Sequence, residues 1–152
     1  MGKCLELFYC LRDLVAAPLD MDIDRTAVVT LFYRVVYNAS AIITLFETMA
    51  VRDLRVYMDA LFGSVSHYLD ASGLECDAVV HMRNGKYGLV EIKLGGKELI
   101  EKGAATLKNL AARIDTVKMS SPSFLMVLTA TGNFAYRRDD GIVVCPIGCL
   151  KP

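Results

Sequence analysis

The chain has no tryptophan, only 4 prolines and no surplus charge of either sign, since 17 basic residues meet 17 acidic ones. A formal net charge of zero excludes any global electrostatic attraction to nucleic acid or an anionic membrane, so binding of that kind must be local. None of the 5 cysteines (Cys4, Cys10, Cys76, Cys145, Cys149) forms a C-x-x-C pair, so neither a disulfide framework nor a zinc ribbon is signalled. The two histidines, His67 and His81, have no partners at triad spacing. No repeat, low-complexity tract or Pro/Gly/Ser linker divides the sequence. The N-terminus MGKCLELFYCLRDL lacks the order of basic, apolar and small-residue regions of a secretory signal, and Glu6 breaks the myristoylation pattern. A cytoplasmic protein is expected.

The longest apolar run, AVVTLFYRVVYNASAIITLF (27–46), carries Arg34 and Asn38 near its middle. A central arginine costs about 2.5–3.5 kcal/mol on insertion scales. We therefore expect no membrane span there, but a buried helix or two packed segments. The length suits one core. Residues 1–45 are expected to form an apolar, helical N-terminal segment whose placement the sequence does not give, and 46–152 a separate domain.

In residues 45–62, Phe46, Ala50, Leu54, Tyr57 and Leu61 recur at helical spacing, Glu47 shares a flank with Val51, Leu54 and Met58, and Gly63 is placed to end the helix. SVSHYLDASG (64–73) reads as a strand and turn. ECDAVVHM (75–82) and YGLVEIKL (87–94) flank an Asn-Gly turn. Residues 96–118 read as an amphipathic helix interrupted by Gly103, 121–131 as a strand covered on both faces, and FAYRRDDGIVVCPIG as a hairpin turning at Asp139-Asp140-Gly141. The order is helix, three strands, helix, strand and terminal hairpin, an α/β fold with a mixed central sheet flanked by helices.

Strand alternation puts Glu91 and Lys93 on one face with Tyr87 and Leu89, and Glu75, Asp77, Val79 and His81 together on the preceding strand. A two-residue turn at Asn84-Gly85 would set Asp77 opposite Ile92, on the wrong face from Glu91. A three-residue turn over Arg83-Asn84-Gly85, with Gly85 left-handed, would set Asp77 opposite Glu91 and Glu75 opposite Lys93. Both turns are open to the sequence. In the second, facing carboxylates repel unless something cationic sits between them, and a magnesium or manganese ion would serve.

Asp77, a short hairpin and then Glu91-Ile92-Lys93 resemble the D…(D/E)-x-K signature of the PD-(D/E)XK nuclease superfamily. More closely, FETMAVRDLRVY, GLECDAVVHMRNGKYGLVEIKLGG, PSFLMVLTATG and AYRRDDGIVVCPIGCLKP resemble the uncharacterised C-terminal domain of bacterial and archaeal AAA-family ATP-binding proteins. The resemblance implies a restriction-endonuclease-like core (αβββαβ) and divalent-metal-dependent phosphodiester hydrolysis on DNA or RNA. It implies Asp77, Glu91 and Lys93 as catalytic residues. It further implies Asp77 and Glu91 as ligands of Mg2+ or Mn2+, with the Ile92 carbonyl, Glu47 and Glu75 near the ion. Cys76 stands where the signature has proline. The P-loop expected upstream, G-x-x-x-x-G-K-[ST], does not occur in this chain, so no ATPase is present in it. Lys97, Lys102, Lys108 and Arg113 are the candidate nucleic-acid contacts on the second helix, interleaved with Glu98 and Glu101. The alternative expectation is a non-catalytic module that keeps the fold and pairs with an ATPase domain or another subunit.

Overall fold

The computed structural model describes residues 25–150, and their side chains from residue 38. The first part of the expected N-terminal segment, with Cys4 and Cys10, lies outside the described residues. The chain divides into a unit of residues 1–37 and a compact unit of residues 38–152. The sheet and the candidate site lie in the second unit.

Helix α1 runs Arg25–Ala60, well beyond the expected 45–62. Its start was obscured in the sequence by Val28, Val29, Thr30, Val35 and Val36, residue types whose stiff β-branched side chains favour strands. Phe46, Ala50, Leu54 and Met58, four apart, form its buried face. Tyr57 is only half-buried and Leu61 is exposed, because the helix has already ended there. The stop is a Schellman turn: the Gly63 N–H bonds the Met58 carbonyl at 2.7 Å and the Phe62 N–H bonds the Asp59 carbonyl at 2.9 Å. The left-handed residue is Phe62 (φ 54), not Gly63. Gly63 is required for another reason, since a Cβ there would strike the His81 carbonyl and Met58.

The expected burial of the 27–46 run holds at Phe46 but not before it, for Ile42, Ile43 and Leu45 are exposed. A strand of seven residues spans roughly 23 Å, the length of about 15 helical residues. The sheet can therefore cover 46–60 and no more. Among the described residues, no helix is long and apolar enough to cross a membrane.

Six strands form one mixed sheet: β1 (Ser64–Leu69), β2 (Glu75–His81), β3 (Tyr87–Lys93), β4 (Phe124–Thr129), β5 (Tyr136–Arg137) and β6 (Val143–Pro146), in the order β1-β2-β3-β4-β6-β5. β1, β2 and β3 are antiparallel neighbours, β3-β4 and β4-β6 are parallel, and β5 returns antiparallel to β6. Helix α2 (Lys97–Arg113) makes the crossover from β3 to β4, as a parallel pair requires. Ala78, Val80, Val90, Ile92, Met126 and Leu128 pack under α1. Val79, Leu89, Val127, Ile142 and Val144 pack under Ala104, Leu107 and Leu110 of α2. The result is a helix, sheet, helix sandwich whose central strands β3 and β4 are buried on both faces.

The hairpin takes the three-residue turn. His81 pairs with Tyr87 and Ala78 with Val90, the Met82 N–H bonds the Lys86 carbonyl at 2.8 Å, and Gly85 is left-handed at φ 80. The two borders of the sheet differ. β1, the outer edge strand, is Ser-Val-Ser-His-Tyr-Leu, six residues without a formal charge or a proline. β5 is two residues long and leads straight into Arg138-Asp139-Asp140.

Candidate functional site

The site forms where β2 and β3 part. On the β1 side, Ser66 pairs with Val79 but Tyr68 pairs with Cys76, so His67 stands opposite two residues, Asp77 and Ala78. That is a β-bulge in β2. It breaks the strict alternation expected of this strand: Cys76 packs with Val79 on the α2 side, while Ala78 packs on the α1 side. Glu75 and Asp77 are turned into a groove against α1, which Glu47, Thr48, Val51, Arg52, Arg55, Val56 and His67 line with them. The Cys76 thiol, pushed up to about 11 by burial, bonds the Ala78 and Val90 carbonyls at 3.4 Å each and is no nucleophile.

Asp77 replaces the next rung of the β2-β3 ladder with its side chain: Oδ2 accepts the Ile92 N–H at 2.7 Å. The same oxygen lies 3.2 Å from Lys93 Nζ, and Nζ lies 2.7 Å from Glu91 Oε2. The three residues thus meet at one ammonium. Ile92 reaches the site through its N–H, with its side chain in the α1-side core. Glu91 is 3% exposed, and its second oxygen, Oε1, is the one buried side-chain polar atom without a hydrogen-bond partner among the described residues. The roof over it is Gly103 of α2, where a Cβ would lie 3.5 Å from Glu91 Cβ and 3.4 Å from Lys93 Cγ. The glycine that interrupts the helix in sequence has room for a methyl at ordinary contact distance.

Every resolved shift around this ammonium favours the protonated form. Burial pushes the Glu91 carboxyl up to about 7, with Asp77 and Glu75 adding to it against the Lys93 contact. Glu47 is raised by burial and by Asp77. For Lys93 burial acts downward, but its contacts with Glu91 and Asp77 outweigh it and the ammonium is held above its usual range. Asp77 and Glu91 thus share one ammonium, while Arg52 and Arg55 line the groove beside Glu47, Glu75 and Asp77.

The candidate cations of α2 stand apart from this. Lys108 Nζ pairs with Asp140 at 2.6 Å, and Arg113 bonds Asp70 at 3.3 Å and Ser72 at 2.8 Å. Lys97 and Lys102 are exposed. Next to the Asp139-Asp140-Gly141 turn, Arg138 grips both oxygens of Glu101 at 2.8 Å and also bonds Asp140. Arg52, Arg55 and His67 were not singled out from the sequence. A signal existed for the arginines, since Thr48 and Arg52, and Val51 and Arg55, are four apart on the flank that carries Glu47.

A cation placed here would find two buried or half-buried carboxylates, Asp77 and Glu91, and the unpartnered Oε1. Among the described residues no three His, Cys, Asp or Glu side chains are placed to hold a metal ion together. Two carboxylates fit magnesium or manganese, which keep most of their water or take oxygens from a substrate phosphate. They would not make a closed structural site.

Fold and site together define an α/β protein with an under-compensated carboxylate centre at the open end of a hairpin. The chain belongs to the family described as Domain of unknown function (DUF4143), which matches residues 44–150. No curated protein and no solved structure matches the chain.

Proposed function

We propose that this chain is a PD-(D/E)XK nuclease-like domain, a divalent-metal-dependent phosphodiesterase acting on DNA or RNA, and normally a C-terminal module of an AAA-type ATP-binding protein. The observation that carries the reading is Glu91 Oε1, buried and without a partner, on a carboxylate that shares the Lys93 ammonium with Asp77. A buried unsatisfied carboxylate oxygen is costly, and its presence calls for a ligand that the described residues do not supply. Asp77 and Glu91 would hold Mg2+ or Mn2+, which supplies Lewis-acid polarisation of the phosphate and a more acidic water.

The chain's own groups then have separable tasks. Lys93, held cationic by Glu91 and Asp77, stabilises charge building on the phosphate oxygens and does not serve as a base. Glu47, raised by burial and facing the same groove, is the carboxyl placed to exchange a proton with water. Asp77, fixed by the Ile92 N–H, keeps its orientation when the groove is empty.

Titrating manganese calorimetrically into the wild type and Asp77→Asn, with plasmid nicking run on the same samples, tests the reading. Binding and nicking should both vanish in the variant. Nicking that survives in Asp77→Asn, or a wild type that binds no manganese, would overturn it.

A second reading rests on the exposed Ile42, Ile43, Leu45 and Met49 of α1. An apolar stripe of this kind suits a non-catalytic module that docks on an ATPase domain or another subunit. It gains ground if the protein binds no divalent ion and its mass in solution shifts on adding an ATPase partner.

A further inference from the structure

The groove that holds Glu75 and Asp77 also holds two guanidinium groups, and they belong to the opposite wall. Arg52 and Arg55 sit one turn apart on α1. Arg52 is paired with Asp53, its sequence neighbour, at 2.7 Å, in a pair whose arginine side chain is 70% exposed. Exposed pairs of that kind are worth between zero and about 1 kcal/mol, so a phosphate can displace the carboxylate. Arg55 has no ion pair or hydrogen bond with any of the described residues. Beyond it the hollow continues, for Arg55 and Val56 also line a second depression with Asp59, Gly63, Ser64 and Val65. The two depressions are open to solvent and measure about 690 and 430 Å³.

We propose that this groove takes the sugar-phosphate backbone of a single nucleic-acid strand, with Arg52 and Arg55 as its phosphate contacts. The proposal rests on the nuclease-like reading for its choice of ligand, and it names a substrate class for that site. Guanidinium groups are the side chains best matched to phosphate oxygens. Arg52 and Arg55 face the Glu75 and Asp77 wall, so a backbone seated on them passes the carboxylates. On the far side of the molecule, the α2 cations Lys108 and Arg113 are engaged with Asp140 and Asp70. Two contacts are few. Proteins that hold duplex through its backbone neutralise roughly 6–10 phosphates, and a chain of zero net charge with two arginines on its groove is matched to one strand. The exposed His67 ring on the same wall offers a base a face to stack on.

The test is fluorescence anisotropy with a labelled oligothymidylate and a labelled duplex hairpin, in EDTA over a range of salt, so that neither metal nor cleavage enters. Three proteins are compared: wild type, Arg52→Ala/Arg55→Ala, and Lys97→Ala/Lys102→Ala, with circular dichroism to show that each is folded. The expected result is that the single strand binds more tightly than the duplex. The α1 variant should lose about tenfold in affinity and reduce the salt slope by roughly 0.7 per arginine, and the α2 variant should match wild type. Undetectable single-strand binding, preference for duplex, or a loss confined to the α2 variant would overturn the proposal. A parallel manganese nicking assay separates the two ideas. Arginine-dependent binding without nicking removes the nuclease and leaves the strand-binding groove, whereas nicking unchanged in the α1 variant removes the groove and leaves the nuclease.

Discussion

Two charged clusters sit on opposite sides of β4, and they are built on opposite terms. Near the β5-β6 turn, Arg138 and Lys108 meet Glu101 and Asp140 in equal numbers, and hydrogen bonds to those cations hold both acids below their usual range. Where β2 and β3 part, Asp77 and Glu91 share the ammonium of Lys93, and burial holds Glu91, and Glu47 beside them, above the usual range. The first cluster is complete and ties α2 to the terminal hairpin. The second is incomplete and buried, and a fold that only needed stability would gain by replacing it with apolar side chains. The contrast separates a fastening from a site.

Removing the ammonium that Asp77 and Glu91 share should have the largest effect. Lys93→Met should cost about 3 kcal/mol in urea unfolding, because it leaves buried carboxyls without their partner. Adding Glu91→Gln to the same chain should recover much of it. A loss below about 1 kcal/mol would mean that the ammonium does not hold the carboxylates.

The second prediction uses acid. A carboxyl raised from 4.5 to about 7 in the folded protein binds its proton more tightly there than in the unfolded chain, so stability falls as pH rises through that window. The metal-free wild type should gain on the order of 1–2 kcal/mol between pH 8 and pH 5.5. Glu91→Gln should be nearly flat over the same range. The fastening behaves the other way: the depressed Asp140 contributes above its unfolded value of 3.8, and that contribution is lost only as pH falls below it. Chemical denaturation at three pH values reads both.

Smaller effects sharpen the picture. Arg138→Met should lower stability by about 1 kcal/mol at low ionic strength and less in high salt, as a half-exposed network does. Its manganese affinity should equal that of the wild type. Gly103→Ala places a methyl at ordinary contact distance over Glu91 and Lys93 and adds helix propensity. Thermal unfolding should show a gain of up to about 1 kcal/mol, and a loss instead would mean that the roof over Glu91 has no slack.

Much of this was legible in the sequence because it is local. The strand and helix order, the left-handed Gly85 and the Asp139-Asp140-Gly141 turn follow from periodicity and turn chemistry. The sequence left two registers for β2 and β3. The choice came from the turn actually formed, which leads Asp77 towards Glu91. The bulge at Asp77 and Ala78 had no local signal, because it exists only as a mismatch between the ladders on either side of β2. Burial of Ile42 to Leu45 was misjudged for a related reason: hydropathy is a property of residues, while cover depends on how far the sheet reaches.

The two borders of the sheet set what the protein does when crowded. Adding a strand to a sheet needs a free row of N–H and C=O groups, and among the described residues β1 offers six of it with no lysine, proline or acid to discourage a visitor. β5 offers two residues, then a charged turn. Growth by sheet extension is therefore one-sided. Two copies can close edge to edge through β1 and consume both free rows, whereas a fibre needs each copy to be adhesive at both ends.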